Sequence, residues 1–287
     1  MKALRWRTTF MAAAWRHRAA LLPFLRARGA LDRMLARRPE TIGAVAWPYV
    51  SLSWDAPTRL DRIREHWAVV ERHVPLLDFM PDETRDLLDL GDLMPELRLV
   101  LAQPKWFMRE GQAVLDLFIA ETRIFSLAFG LREEHGLVAV IGAIQGRDIE
   151  GALDTYRELT GALHGMRPRD FLVEMFRALC ATLGVQRIVA VSDASRHHRS
   201  PYFGKVADKR FPLDYDEVWT ERGGTALDGD FFALPVQPAR RSIEEIPSKK
   251  RSMYRKRYEM LDRLEAKLAQ AVSPHGPLHE QALPIAG

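Results

Sequence analysis

Along the chain the spacing of apolar residues changes twice, and each change marks a different kind of structure. Residues 1–37 follow helical spacing, with a break expected before Pro23. Leu60, Ile63, Trp67, Val70 and Val74 recur at three- and four-residue intervals, which puts them on one face of a helix over residues 56–74. Pro57 suits the first turn of that helix, and Pro75 closes it. Residues 82–90 read as another short helix.

From residue 96 the texture is that of strands. Runs rich in Leu, Val, Ile and Phe at 96–102, 113–120, 124–131 and 137–145 are separated by turn-like pieces, as in an antiparallel meander. The last run is apolar enough for burial on both faces. Helical spacing then returns at 149–163 and 168–183, with Gly184 suited to a left-handed cap. Residues 186–192 form a short buried strand. Farther on, 215–221 read as a helix, Gly223–Gly224 as a turn, 230–234 as a strand and 247–271 as a long helix. The tail with Pro274, Pro277 and Pro284 is expected to fray. A strand joining after two helices implies an α+β fold with a mixed sheet and flanking helices. The expected division is a mostly helical region over 1–90 and an α+β core with a basic C-terminal helix over 91–287.

Composition narrows the class without naming a function. With 47% hydrophobic and 28% charged residues, the 287-residue chain is neither disordered, collagen-like nor disulfide-stapled. Cys180 is the sole cysteine, so no intrachain disulfide exists, which fits a reducing compartment. It reads as a small core residue. The net charge of +4 is concentrated at the ends: the first 40 residues carry ten Lys/Arg against Asp32 and Glu40. A second basic cluster comprises Lys249, Lys250, Arg251, Arg255, Lys256 and Arg257. Basic ends on a balanced body suit an anionic partner, either a membrane surface, a phosphorylated cofactor or an acidic carrier protein. A solvated helix face accounts for them equally. Nucleic acid is disfavoured, because no zinc-finger, RNA-recognition or helix-turn-helix pattern accompanies the charge.

The N-terminal apolar run at 8–15 ends at Arg16-His17-Arg18, too short for a cleaved secretory signal. No stretch approaches the roughly 18–20 apolar residues of a spanning helix. Its aromatic and leucine residues among arginines suit a helix on an anionic membrane surface, or one packed on the domain. A cytoplasmic protein, or one peripheral on the inner membrane, is expected.

Three constellations carry candidate chemistry. His164, Gly165, Arg167 and Arg169 precede a helix whose first turn begins at Pro168. Free N–H groups, a close-approach glycine and two guanidinium forks there suit a phosphate; an ordinary interhelical turn is the alternative. His198 lies in a loop after a core strand, where it could take a proton from an attacking amine or hydroxyl. It also fits a plain polar loop, and two adjacent histidines are poor evidence for a metal. Gln145, at the end of the most apolar strand, could bond a substrate carbonyl. Six cations at the start of a helix oppose its dipole. Arg251 and Arg255, four apart, are expected to face the domain and either pair with core acids or line a cleft as substrate contacts, with the others facing solvent.

IGAIQG at 141–146, ELTGALHGMRPRDFL at 158–172, YDEVW at 215–219 and EEIPSKKRSMYRKRY at 244–258 resemble the bacterial VirK/YbjX family. That resemblance implies an association with the bacterial envelope and virulence, including resistance to antimicrobial peptides, and implies no reaction. The segment GMRPRDFLVEMFRALCATLGVQRIVAVSD, behind a strand, also resembles the core of GNAT acyltransferases. It departs from them in having one glycine at the turn and an extra helix before it. This second resemblance implies a GNAT-like mixed sheet and an acyl-CoA or acyl carrier protein phosphopantetheine donor held at the turn. It also implies transfer to an amine or hydroxyl acceptor, with Tyr202 donating a proton to the leaving thiolate. An envelope- or peptide-related acceptor, or aminoacyl transfer, fits the same fold. The opposing expectation is a non-enzymatic envelope factor that binds membrane or a protein through its basic helices.

Overall fold

The computed structural model describes residues 2–81, 83–147, 151–204 and 213–273. Helices α1 (Lys2–Arg16), α2 (Arg18–Leu25), α3 (Ala30–Arg37) and α4 (Ala56–His73) come first. Strands β1 (Thr84–Asp89), β2 (Leu97–Ala102), β3 (Ala113–Ile119), β4 (Thr122–Glu133) and β5 (Leu137–Gly146) follow. Next are α5 (Ala152–Ala162), α6 (Pro168–Thr182), β6 (Val185–Val191), α7 (Tyr215–Glu221), β7 (Thr225–Ala226), β8 (Phe231–Leu234) and α8 (Ser248–Val272). The fold is the expected α+β arrangement with a mixed sheet, flanking helices, helical N-terminus and long C-terminal helix.

Three local expectations change. Residues 84–89 form a strand rather than a helix. A bulge between Asp86 and Leu88 turns both Leu87 and Leu88 inward, and two consecutive buried leucines imitate a helical face. The first helical break falls at His17, with Pro23 inside α2. A proline ring collides with the carbonyl of the turn before it, so the distortion lies upstream of the proline itself. The two-residue β7 was not foreseen. The tail from Pro274 onward, Asp82, and residues 149 and 150 of the expected helix lie outside the described residues.

α4 illustrates how composition makes an element. Asp55 caps it by accepting from the Thr58 N–H at 2.9 Å, and Pro57 occupies its first turn. Its stripe of Leu60, Ile63, Trp67 and Val70 is buried.

The eight strands run in the order β1-β2-β3-β4-β5-β6-β8-β7, and every pair is antiparallel except β5 with β6. Phe129 on β4 meets Phe176 on α6 with ring centroids 4.9 Å apart. The next residue, Gly130, faces the Tyr49 hydroxyl. Adjacent strand residues point to opposite faces, so α6 covers one face of the sheet and the segment around Tyr49 the other. Trp67 of α4 donates to the Gln112 side chain at 3.1 Å, and Gln112 in turn bonds the Tyr49 hydroxyl at 3.3 Å. α4 therefore packs on the Tyr49 face. α8 buries Met260, Leu261, Leu264 and Leu268 against α6.

Phe176→Ala should cost roughly 3–5 kcal/mol, the usual range for emptying an aromatic site in a core. Thermal denaturation followed by circular dichroism should show a melting temperature lower by about 5–8 °C. An unchanged melting temperature would mean that Phe129 and Phe176 do not join α6 to the sheet.

Candidate functional site

β5 and β6 pair as far as Ile141 with Ala190, and beyond that β5 continues to Gly146 beside β4 alone. α7 fills the opening. Its Tyr215 hydroxyl accepts from the Ile144 N–H at 3.1 Å, while the Trp219 indole donates to the Val191 carbonyl at 2.9 Å.

On the Tyr49 face, the loop between β2 and β3 presses onto this end of β5. A Cβ on Gly142 would overlap the Glu110 carbonyl oxygen, so only glycine admits that approach. The Glu110 side chain is buried and points toward the turn after β6. Its Oε1 lies 3.7 Å from His197 Nε2 and 3.4 Å from His198 Nε2. The His197 ring is buried and sits 3.9 Å, centroid to centroid, from that of His198, which is partly exposed. Glu110 Oε2 and His197 Nδ1 are both buried with no hydrogen-bond partner. Buried polar atoms left unsatisfied are rare and cluster where chemistry is done.

Burial sets the protonation here. It raises the Glu110 carboxyl to about 8, against a smaller opposing pull from Arg123 and Arg109. Burial also holds His197 well below the ordinary imidazole range, helped by His198, Arg109 and Arg196. At neutral pH Glu110 thus keeps its proton and His197 is an uncharged ring. A carboxyl that titrates near physiological pH beside a half-exposed imidazole is equipped to take up and release protons. The three donor atoms lie within 4.8 Å of one another, close enough to share one divalent ion as well as one proton.

Tyr202 stands at the rim. It and His198 both pack on Phe203, with ring centroids 5.1 and 5.7 Å away. The Arg109 guanidinium lies over the rings of Trp47, Tyr202 and Phe203 at 4.8, 5.2 and 5.4 Å. The structure therefore brings His198 and Tyr202 together and adds Glu110, His197 and Arg109. Gln145 is nearby in register: it lies opposite Ser126 on β4, itself opposite Asp116 on β3. Ser126 donates to Asp116, and burial lifts that carboxyl to about 6. Arg123 donates to Ser126 at 3.2 Å and lies over the rings of Trp106 and Phe107.

The expected phosphate turn is a separate region. His164 and Gly165 take left-handed backbone angles, with φ of 50° and 76°, and end α5. Arg257 donates to the His164 carbonyl at 2.8 and 3.2 Å, and Met253 covers Gly165. Arg167 and Arg169 are engaged by carboxylates. Glu221 lies 3.2 Å from Arg167 and 2.5 Å from Arg169, and Asp170 contacts both at 3.3 and 3.1 Å. Burial opposes its ionisation, yet the two arginines hold Glu221 below the usual carboxylate range. α7 joins the two regions, since Tyr215 and Glu221 at its ends are about 9 Å apart at 1.5 Å rise per residue.

Arg251 donates to the Ile246 and Glu244 carbonyls and so ties down the loop before its own helix. Arg255 is exposed, and Arg257 is the cation that turns inward. The inner face of α8 carries Met253, Tyr254, Arg257, Tyr258 and Leu261, a helical spacing that excludes Arg255. Sequence reasoning passed over Glu110, Asp116 and Glu221, and weighed His197 only as one of two adjacent histidines. Asp116 had a signal, as a lone acid within an apolar strand; Glu110, in a loop, had none.

A family model described as "Protein of unknown function (DUF535)" matches residues 1–270. The chain belongs to the DUF535 family. Among its relatives, the uncharacterized protein YbjX of Escherichia coli K12 is 28% identical over 249 residues, 83% of this chain and 74% of that protein. An uncharacterized protein of Haemophilus influenzae is 32% identical over 179 residues, 62% of this chain. The match spans 58% of that relative, little more than half its length. A protein of Mannheimia haemolytica named "Membrane protein LapB" is 26% identical over 190 residues, 64% of this chain and 82% of its own. No solved structure matches the chain. The family agrees with the VirK/YbjX resemblance of the sequence. Among the described residues, no helix is long and apolar enough to cross a membrane.

The raised Glu110 carboxyl has a consequence for stability. It ionises near 4.5 when exposed and near 8 in the fold, so the folded state binds the extra proton between those values. Its contribution is fully present below 4.5 and is lost as pH rises to about 8. Glu110→Gln cannot ionise. Melting curves from about pH 5 to pH 9 should show the variant gaining on the parent up to about 8 and no further above. A difference independent of pH would contradict a buried, proton-holding carboxyl.

Proposed function

We propose that this DUF535 protein is a GNAT-like acyltransferase, moving an acyl group from a thioester donor to an amine or hydroxyl. The observation that carries the reading is the buried, unpaired Glu110 beside His197 and His198, at the end of β5 where the parallel pair parts. The strand–helix–turn–helix–strand unit of β5, α5, α6 and β6 supports it, as do the arginines at the turn between the two helices.

In this reading Glu110, once ionised, accepts through His198 the proton of the attacking amine or hydroxyl. The new bond forms between that nitrogen or oxygen and the acyl carbon. The carbon–sulfur bond breaks, and the departing thiolate takes a proton from Tyr202, which regains one from Glu110 through solvent. Gln145 bonds the acceptor or the acyl carbonyl. The phosphate of acyl-CoA, or of an acyl carrier protein's phosphopantetheine, takes the place that Glu221 holds on Arg167 and Arg169. Arg109 keeps Tyr202 at the rim.

The test is release of free thiol from acetyl-, octanoyl- and palmitoyl-CoA and from acylated carrier protein, with a panel of amine and hydroxyl acceptors. The rate should climb with pH through about 8, the value set by Glu110. Glu110→Gln and His198→Ala should each lower it by about 10²–10⁴-fold, the range for loss of general base catalysis. Thiol release that these variants leave intact, or none from any donor, would overturn the reading.

A second reading, an envelope factor bound to an anionic membrane, rests on the outer surface of α1 and α2. Met11 and Trp15, four apart on one face of α1, are 66% and 73% exposed, joined by Leu22 and Leu25 of α2, and no acidic residue precedes Asp32. Apolar and basic groups on one helical surface suit an interface of anionic lipid. Lys249, Lys250 and Lys256 add exposed charge on α8. Sedimentation with phosphatidylglycerol vesicles should fall with added salt, with Trp15→Ala, and with Lys249, Lys250 and Lys256 changed to Gln. Equal recovery with purely zwitterionic vesicles would count against it.

A further inference from the structure

A cavity of about 710 Å³ lies outside the Glu110 site and shares only Glu221 with the acyl-transfer reading. On α6 it is lined by Glu174, Arg177, Ala178 and Ala181, spaced as one helical stripe. Phe176, which meets the sheet at Phe129, is about half a helical turn around from that stripe. The cavity therefore lies on the outer side of α6, away from Glu110. Its remaining walls come from the end of α7, the segment 236–241 and the inner face of α8.

Its lining has two characters. Five arginines, at 177, 222, 240, 241 and 257, face three glutamates, at 174, 221 and 265. Glu221 is engaged by Arg167 and Arg169, Glu265 by Arg240, and Glu174 by Arg177. Arg241 and Arg257 bond backbone carbonyls instead, at 3.4 Å to Glu245 and 2.8 Å to His164. The Nε atoms of Arg177 and Arg222 are buried with no hydrogen-bond partner. Arg222 also lies 3.7 Å from Asp170 and 3.9 Å from Glu174, and Arg240 lies 2.5 Å from Asp262, so Arg241 and Arg257 are the lining guanidiniums with no carboxylate in ion-pair distance among the described residues; such planar forks match phosphate oxygens. The other character is aromatic, with Arg257 over one face of Tyr254 at 4.3 Å and Arg240 over Tyr258 at 5.4 Å. Tyr254 and Tyr258 stand edge to face with ring centroids 5.9 Å apart, beside Met166, Val236, Pro238 and Leu261. A volume of this size suits a cofactor-sized molecule rather than a bare ion.

We infer that this cavity binds a nucleoside phosphate, its base against Tyr254 and Tyr258 and its phosphates among Arg222, Arg241 and Arg257. The inference does not depend on acyl transfer, since the walls include none of the residues in the proposed proton relay. The ligand could be a free nucleotide or the nucleotide portion of coenzyme A, and both present the same chemistry.

Titration calorimetry on the full chain, with ADP, coenzyme A and inorganic phosphate, separates these cases. ADP should bind and inorganic phosphate should bind at least tenfold more weakly, because it lacks the base. Binding of ADP alone identifies a free nucleotide; binding of both ADP and coenzyme A extends the site to the cofactor's nucleotide end. Arg241→Gln should weaken ADP at least about tenfold, the loss of one charge-assisted contact. Tyr254→Leu should weaken it severalfold, and Glu110→Gln should leave it unchanged. Arg241 is exposed in a loop, so its substitution tests the site even if the α8 variant folds poorly. The inference fails if ADP does not bind at millimolar concentration, if coenzyme A binds without ADP, if phosphate binds as well as ADP, or if Arg241→Gln leaves ADP affinity intact.

Discussion

One parallel pair in an otherwise antiparallel sheet organises this molecule. A hairpin cannot join parallel strands, so β5 must reach β6 through a crossover, and α5 and α6 supply it. The crossover lays α6 over one face of the sheet. It also lets β5 and β6 part after Ile141 and Ala190, because β5 keeps its ladder with β4 while β6 turns to β8. The polar backbone exposed by that parting must be satisfied. Tyr215 and Trp219 do so from α7, and in doing so they set where α7 lies and what its far end can hold.

Two sets of acids behave differently around this frame. Asp170, Glu174 and Glu221 are paired with arginines of α6 and α7, and the pairs fasten the turn, the two helices and the cavity wall together. Glu110 and Asp116, on the opposite face, are buried, Glu110 beside His197 and His198 and Asp116 accepting from Ser126, with no arginine within ion-pair distance among the described residues. Their carboxyls are pushed up to about 8 and about 6. A paired acid is a structural tie. An unpaired one costs stability and gains the ability to exchange a proton, which is why the candidate chemistry falls on the Tyr49 face.

Basic residues divide in the same way. On α8, Arg251 and Arg257 are spent on backbone carbonyls, one holding the helix to the loop before it and the other closing the turn at His164. Lys249, Lys250, Arg255 and Lys256 are exposed. The positive charge that the helix dipole disfavours at this end is thus partly structural and partly presented outward.

Local spacing by itself determined most of the elements, because a helical or strand period is written in consecutive residues. The stripe of α4, the four runs of β2 to β5, the helix–strand passage of α6 and β6, and the length of α8 were all legible, and so was the α+β class. The same periodicity misread β1, where a bulge places Leu87 and Leu88 on one side. His198 and Gln145 were legible as polar groups after or at the ends of apolar strands, and Tyr202 only through the GNAT resemblance. Their company was decided only by tertiary structure. Glu110 reaches His198 because Gly142 lets the β2–β3 loop settle on β5, and Glu221 reaches Arg169 because α7 plugs the sheet. A carboxyl's burial, and with it its proton affinity, depends on neighbours distant in the chain, and residue spacing carries no record of them.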